Sequence, residues 1–134
     1  MSDRRLLDTN IISDLVRRPA GPAASRLLQT GDDAVCTNVI VAAELRFGAA
    51  KRGSDRLTRQ LEQVLAAIEI LPLSPPVDHL YGEVRTRLEL AGTPIGGNDM
   101  LIAAHALALD FILVTDNERE FSRVAGLRIE NWLR

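Results

Sequence analysis

The chain has 134 residues, which suits one domain whose core can stand without a disulfide staple. Hydrophobic residues at 46% exclude a disordered chain, and aromatics at 4% leave few platforms for stacking bases. The formal net charge of -2 gives no bulk attraction to nucleic acid, although all the basic residues but Lys51 are arginine, a side chain suited to phosphate contacts.

In chain order, Arg5 to Leu7 reads as a short buried strand. "NIISDLVRR" follows as a helix with Ile11, Ile12, Leu15 and Val16 on one face, stopped by Pro19. Pro22 to Thr30 reads as a second helix ended by Gly31. "AVCT" is a strand of small and branched residues, and "NVIVAAELRFGAAKR" a helix. Asp55 to Ala67 carries Leu57, Leu61, Val64 and Leu65 at helical spacing. "IEILPL" is a strand closed by prolines. "PVDHLYGEVRTRLELAG" is a helix with Pro76 at its start and Gly92 at its stop. "NDMLIAAHALALD" is an Ala-rich buried helix, "FILVT" a strand, "EREFSRV" a short helix and "LRIENW" a terminal strand.

Strands alternating with helices predict an α/β fold with a mainly parallel central sheet flanked by helices, as a single domain over 1–134. In such sheets sites form outside the carboxyl ends of the strands. Two aspartates, Asp8 and Asp116, stand there as the first charges after apolar runs. Glu44 is a lone carboxylate on the helix after "AVCT". Asp99 follows "PIGGN" at a helix start, facing free backbone N–H groups.

Each acid also has a plainer reading. Asp8, Asp99 and Asp116 could be helix N-caps, with Asn98 an equal candidate beside Asp99. Asn117 and Glu120 are spaced as a capping box, which would relieve Asp116 of that task. Glu44 could be a solvated helix residue. Four acids at one end of one sheet would repel by about 3 kcal/mol per close pair at an effective dielectric near 20. They therefore demand raised pKa values or a cation. Oxygen-only donors suit Mg²⁺ or Mn²⁺, which point to metal-dependent chemistry on a phosphate ester.

Other residues tempt less. His105 in "IAAHALAL" reads as a hydrogen-bonded core histidine and His79 as a solvated one. Arg46 could meet RNA phosphate or pair with an acid. Gly96 and Gly97 lack the phosphate-loop pattern and read as a tight turn into the helix. Cys36, the only cysteine, reads as a buried hydrophobe, and no zinc spacing exists. "MSDRRLLDT" lacks a signal-peptide core and no apolar stretch reaches bilayer length, so a cytoplasmic protein without membrane contact is expected.

"LLDTNIISDL", "AAELRFGA", "IGGNDMLIAAHAL" and "LVTDNEREF" resemble, in order and spacing, the four signature blocks of PIN-domain ribonucleases, with the VapC toxin branch the nearest likeness. The resemblance implies a three-layer PIN-like fold. It places Asp8, Glu44, Asp99 and Asp116 as the catalytic, metal-binding quartet, with Thr9, Asn10 and Thr115 as supporting polar residues. It implies RNA hydrolysis with Mg²⁺ or Mn²⁺, a homodimer, and inhibition by a VapB-type antitoxin. Two other classes compete: a Mg²⁺-binding phospho-receiver-like signalling domain, and an inactive binding module on the same fold. A receiver needs a lysine at a later strand end, whereas Lys51 falls in a predicted helix.

Overall fold

The computed structural model describes residues 3–134 and holds five strands and seven α-helices among them. The sheet is wholly parallel. It comprises β1 (Arg5–Leu7), β2 (Val35–Asn38), β3 (Glu69–Leu71), β4 (Ile112–Val114) and β5 (Ile129–Glu130), in the order β3-β2-β1-β4-β5. Leu6 lies opposite Cys36 on one side and Leu113 on the other. From β1 the chain winds first toward β2 and later back to β4. The crevice beyond the carboxyl ends of β1 and β4 is therefore a topological switch point.

The helices are α1 (Thr9–Arg17), α2 (Pro22–Thr30), α3 (Val39–Arg52), α4 (Asp55–Ala66), α5 (Val77–Leu90), α6 (Gly97–Leu109) and α7 (Glu118–Phe121). Their starts follow local chemistry. Asn38 caps α3 by accepting from Val41 N at 2.9 Å, and Ser54 caps α4 by accepting from Leu57 N at 3.1 Å. Gly53, at φ 68°, closes α3 in the left-handed region that a Cβ disfavours. The apolar face of α1 is buried as its spacing requires, with Ile11 and Ile12 fully inaccessible. They join Leu6, Leu7, Ile102, Leu113, Val114 and Phe121 in one core.

The sequence misjudged several termini. Asp32–Ala34 forms a 3₁₀ turn before β2, the helix expected over 118–124 is regular only through Phe121, and the last strand shrinks to two residues. Short amphipathic runs near a chain end lack the neighbours that would extend their pairing. Among the described residues no helix is long and apolar enough to cross a membrane.

Candidate active site

β1 ends at Leu7, so Asp8 emerges at the switch point, held by its backbone N–H donating to Val114 O at 2.9 Å. Its two carboxylate oxygens have separate tasks. Oδ1 caps α1 by accepting from Thr9 N at 2.8 Å, and Oδ2 accepts from the buried Thr115 hydroxyl at 2.8 Å. Asp8 thus caps α1 and also lies beside Glu44 in the acidic cluster. Burial is the main reason its pKa is raised, with a further push from the charge of Glu44.

Glu44 projects from α3 toward the same point. The Thr9 hydroxyl donates to its Oε1 at 2.7 Å and the Asn98 amide to its Oε2 at 3.4 Å. Asp99 lies in the first turn of α6, but the cap of that helix is Gly96, in extended conformation at φ -60° and ψ 151°. The expected capping by Asn98 or Asp99 does not occur, because helical geometry begins two residues before Asp99. Gly96 and Gly97 lead the chain into α6 as its N-cap and first residue, without positive φ. The Asp99 side chain is left free for the cluster.

Burial pushes Asp99 up to about 7, followed by a hydrogen bond with Glu120 and the charges of Asp8, Glu120 and Glu44. Glu120 is held correspondingly low, first by Asp99 and then by the Asn117 amide, which donates at 3.0 Å. Asp99 and Glu120 therefore titrate as a pair, with the more buried Asp99 held up and Glu120 held down. Glu120 was missed as a site acid by the sequence reading, which spent it on a capping box. That box does not form. The Asn117 side chain makes no cap bond, and Asn117 N instead donates to Thr115 Oγ at 2.9 Å. A fifth acid one turn into a helix that follows a strand-end aspartate was the available signal.

Asp116 sits apart in its interactions. Its N–H donates to Asn10 Oδ1 at 2.9 Å, while its carboxylate accepts from Asn131 at 3.0 Å and meets Arg134 at 3.4 Å. Asn131 and then Arg134 hold its pKa below the usual carboxylate range. The structure brings Asp8, Glu44 and Asp99 together with Glu120 and turns the Asp116 side chain toward the C-terminal residues. Arg46 takes the second of its two expected roles. It forms a two-pronged pair with Glu62 on α4, both contacts at 2.9 Å.

One buried link aligns the helices that carry Glu44 and Asp99. Asn38, capping α3 through Oδ1, donates through Nδ2 to His105 Nδ1 on α6 at 3.0 Å. The proton of His105 thus sits on Nε2, and burial lowers its pKa, which keeps it neutral. Lys51 is exposed in the last turn of α3, where a receiver-type lysine has no use.

Among the described residues no three His, Cys, Asp or Glu side chains are gathered as a ready-made metal cage. The donor set nonetheless fits a hard divalent ion. Only hydroxyl, amide and backbone N–H groups donate to Asp8 and Glu44, and burial with the nearby acids holds the Asp99 carboxyl up. Mg²⁺ keeps several waters and takes one or two carboxylates directly, so a loose cluster suffices.

The PIN domain family model matches residues 5–127. Ribonuclease VapC2 of Rickettsia felis is 37% identical over 129 residues, covering 95% of this chain and 96% of that protein. The tRNA(fMet)-specific endonuclease VapC of Shigella flexneri is 35% identical over 129 residues, with the same coverage of 95% and 96%. Among solved structures, that of VapBC2 from Rickettsia felis bound to a DNA fragment from its promoter superposes with a TM-score of 0.88 at 35% identity, covering 96% of this chain and 98% of that one.

Proposed function

The chain belongs to the PIN-domain family, and on that premise we propose that it is a metal-dependent endoribonuclease, the toxin of a toxin–antitoxin pair inhibited by a VapB-type antitoxin. The observation that carries this reading is the cluster of Asp8, Glu44, Asp99 and Glu120 at the switch point, none of which stands in an ion pair among the described residues. These carboxylates would hold Mg²⁺ or Mn²⁺, which when bound acidifies a water and offsets charge at the phosphate. Thr9 and Thr115 fix the directions of Glu44 and Asp8 by donating to them, and Asn10 holds the backbone of Asp116, the outermost acid of the proposed site. A cation held there would favour the ionised form of Asp99.

We extend the proposal to one functional domain over 1–134, acting in the cytoplasm where its RNA is found. It pairs as a homodimer through the α4–α5 region between Asp55 and Gly92. A relative whose name specifies tRNA(fMet) makes initiator tRNA the first substrate to try. Purified chain should cut it with Mg²⁺ or Mn²⁺, stop on chelation, and resume when metal is restored. Asp8→Ala should be inert. Cleavage that survives EDTA in metal-free buffer, or that persists in Asp8→Ala, refutes the assignment. A monomeric mass by light scattering at tens of micromolar refutes the dimer alone.

A further inference from the structure

A groove of about 290 Å³ opens directly beside the acidic centre, between α1, α3 and α4. Thr9 and Glu44 line its inner end, Val16, Leu45 and Leu61 its floor, and Arg17 and Arg52 its walls. The layout has a simple sequence origin. Arg17 follows Thr9 by eight residues on α1, and Arg52 follows Glu44 by eight on α3. At 1.5 Å rise per residue each arginine stands about 12 Å along its helix from the acidic end. The Thr9–Glu44 hydrogen bond, 2.7 Å, ties the two helices together at that end. Among the described residues, ten ion pairs engage other basic side chains, yet Arg17 and Arg52 take part in none.

We propose that substrate RNA runs through this groove, with Arg17 and Arg52 each holding a backbone phosphate next to the one that is cut. The inference rests on the ribonuclease reading and adds the path of the strand. Guanidinium groups without carboxylate partners complement phosphate by charge and by their paired donors. The apolar floor accepts sugar and base faces without reading their identity. Gly48, also in the lining, keeps the passage open: a Cβ there would meet nothing within 4 Å, so a side chain would project into free space.

The test uses full-length chain, Mn²⁺ and a labelled single-stranded RNA oligonucleotide that the wild type cuts. Arg17→Gln with Arg52→Gln should raise KM about tenfold and leave kcat within about threefold. The plot of log KM against log salt should lose about 1.4 in slope, two phosphates at roughly 0.7 each. Gly48→Leu, which suits a helix, should raise KM by narrowing the groove without removing charge, so its salt slope stays. Arg128→Gln, just before β5 and outside the groove, should change neither. Unaltered KM and slope in the arginine pair, with wild-type cleavage intact, overturn the proposal and spare the ribonuclease reading. Loss of antitoxin binding in these variants with RNA parameters unchanged assigns the groove to a protein segment and likewise overturns it. A wild type that cuts no RNA fails the underlying reading first.

Discussion

The two ends of β1 handle charge in opposite ways. At its start, Arg4 pairs with Glu69 at 2.8 Å and lies over the Phe111 ring at 5.3 Å. Arg5 grips Glu130 with two contacts of 2.9 Å, and Glu130 also accepts from Trp132 Nε1 at 3.1 Å. Three residues further on, Asp8 has only hydroxyl and backbone donors, and burial, with a smaller push from Glu44, raises its pKa. Charges at the first end are paired within the chain and contribute to stability, although the buried Arg4 Nε has no hydrogen-bond partner. Charges at the second repel one another and, among the described residues, stand in no ion pair, which marks a place kept for something the chain itself does not supply.

The largest effect should come from removing that repulsion. Asp99→Asn keeps shape and should lower RNA cleavage by at least about 100-fold. The Asp99 carboxyl of the wild type, pushed up to about 7, lies above its ordinary value of 3.8, so the folded chain holds a proton that the unfolded chain releases in between. The stabilising contribution is complete below about pH 4 and disappears as pH rises through 7. Melting temperature of metal-free wild type should therefore carry a downward component over that range which the variant lacks. A variant that still cuts RNA and melts several degrees below wild type at pH 8 would make Asp99 a structural residue.

Next is the cation. At a hundredfold excess over its Kd, Mn²⁺ should stabilise the wild type by about 2.7 kcal/mol, several degrees in a melt, and Asp99→Asn by clearly less. Equal gains in both would erase the contrast between the two ends of β1.

At the compensated end, Glu130→Gln leaves the partly buried Arg5 short of its charge partner. A loss of about 1–3 kcal/mol in denaturant unfolding, with cleavage per folded molecule unchanged, is expected. A drop in kcat without a drop in stability would tie this end to catalysis.

The smallest effect belongs to Arg46→Gln. Its exposed pair with Glu62 is worth under about 1 kcal/mol, and the salt dependence of KM should not change. A shallower salt slope would restore Arg46 as an RNA contact.

By itself the sequence determined the local order. Apolar runs of three or four residues gave strands, and Ile11, Ile12, Leu15 and Val16 gave a helix face, because burial preference repeats with the backbone period. The parallel sheet followed from the alternation of elements, and Asp8 at the switch point followed from the end of β1. Only the tertiary structure decided which charges meet. Glu120 kept its local contact with Asn117 but also met Asp99, 21 positions away, Asp116 turned to Asn131 and Arg134, and Arg46 found Glu62 across the α3–α4 pair. Hydrophobic patterning is set by neighbours along the chain, whereas an ion pair or a repelling cluster depends on side-chain reach and desolvation across elements, which exist only once the helices have packed.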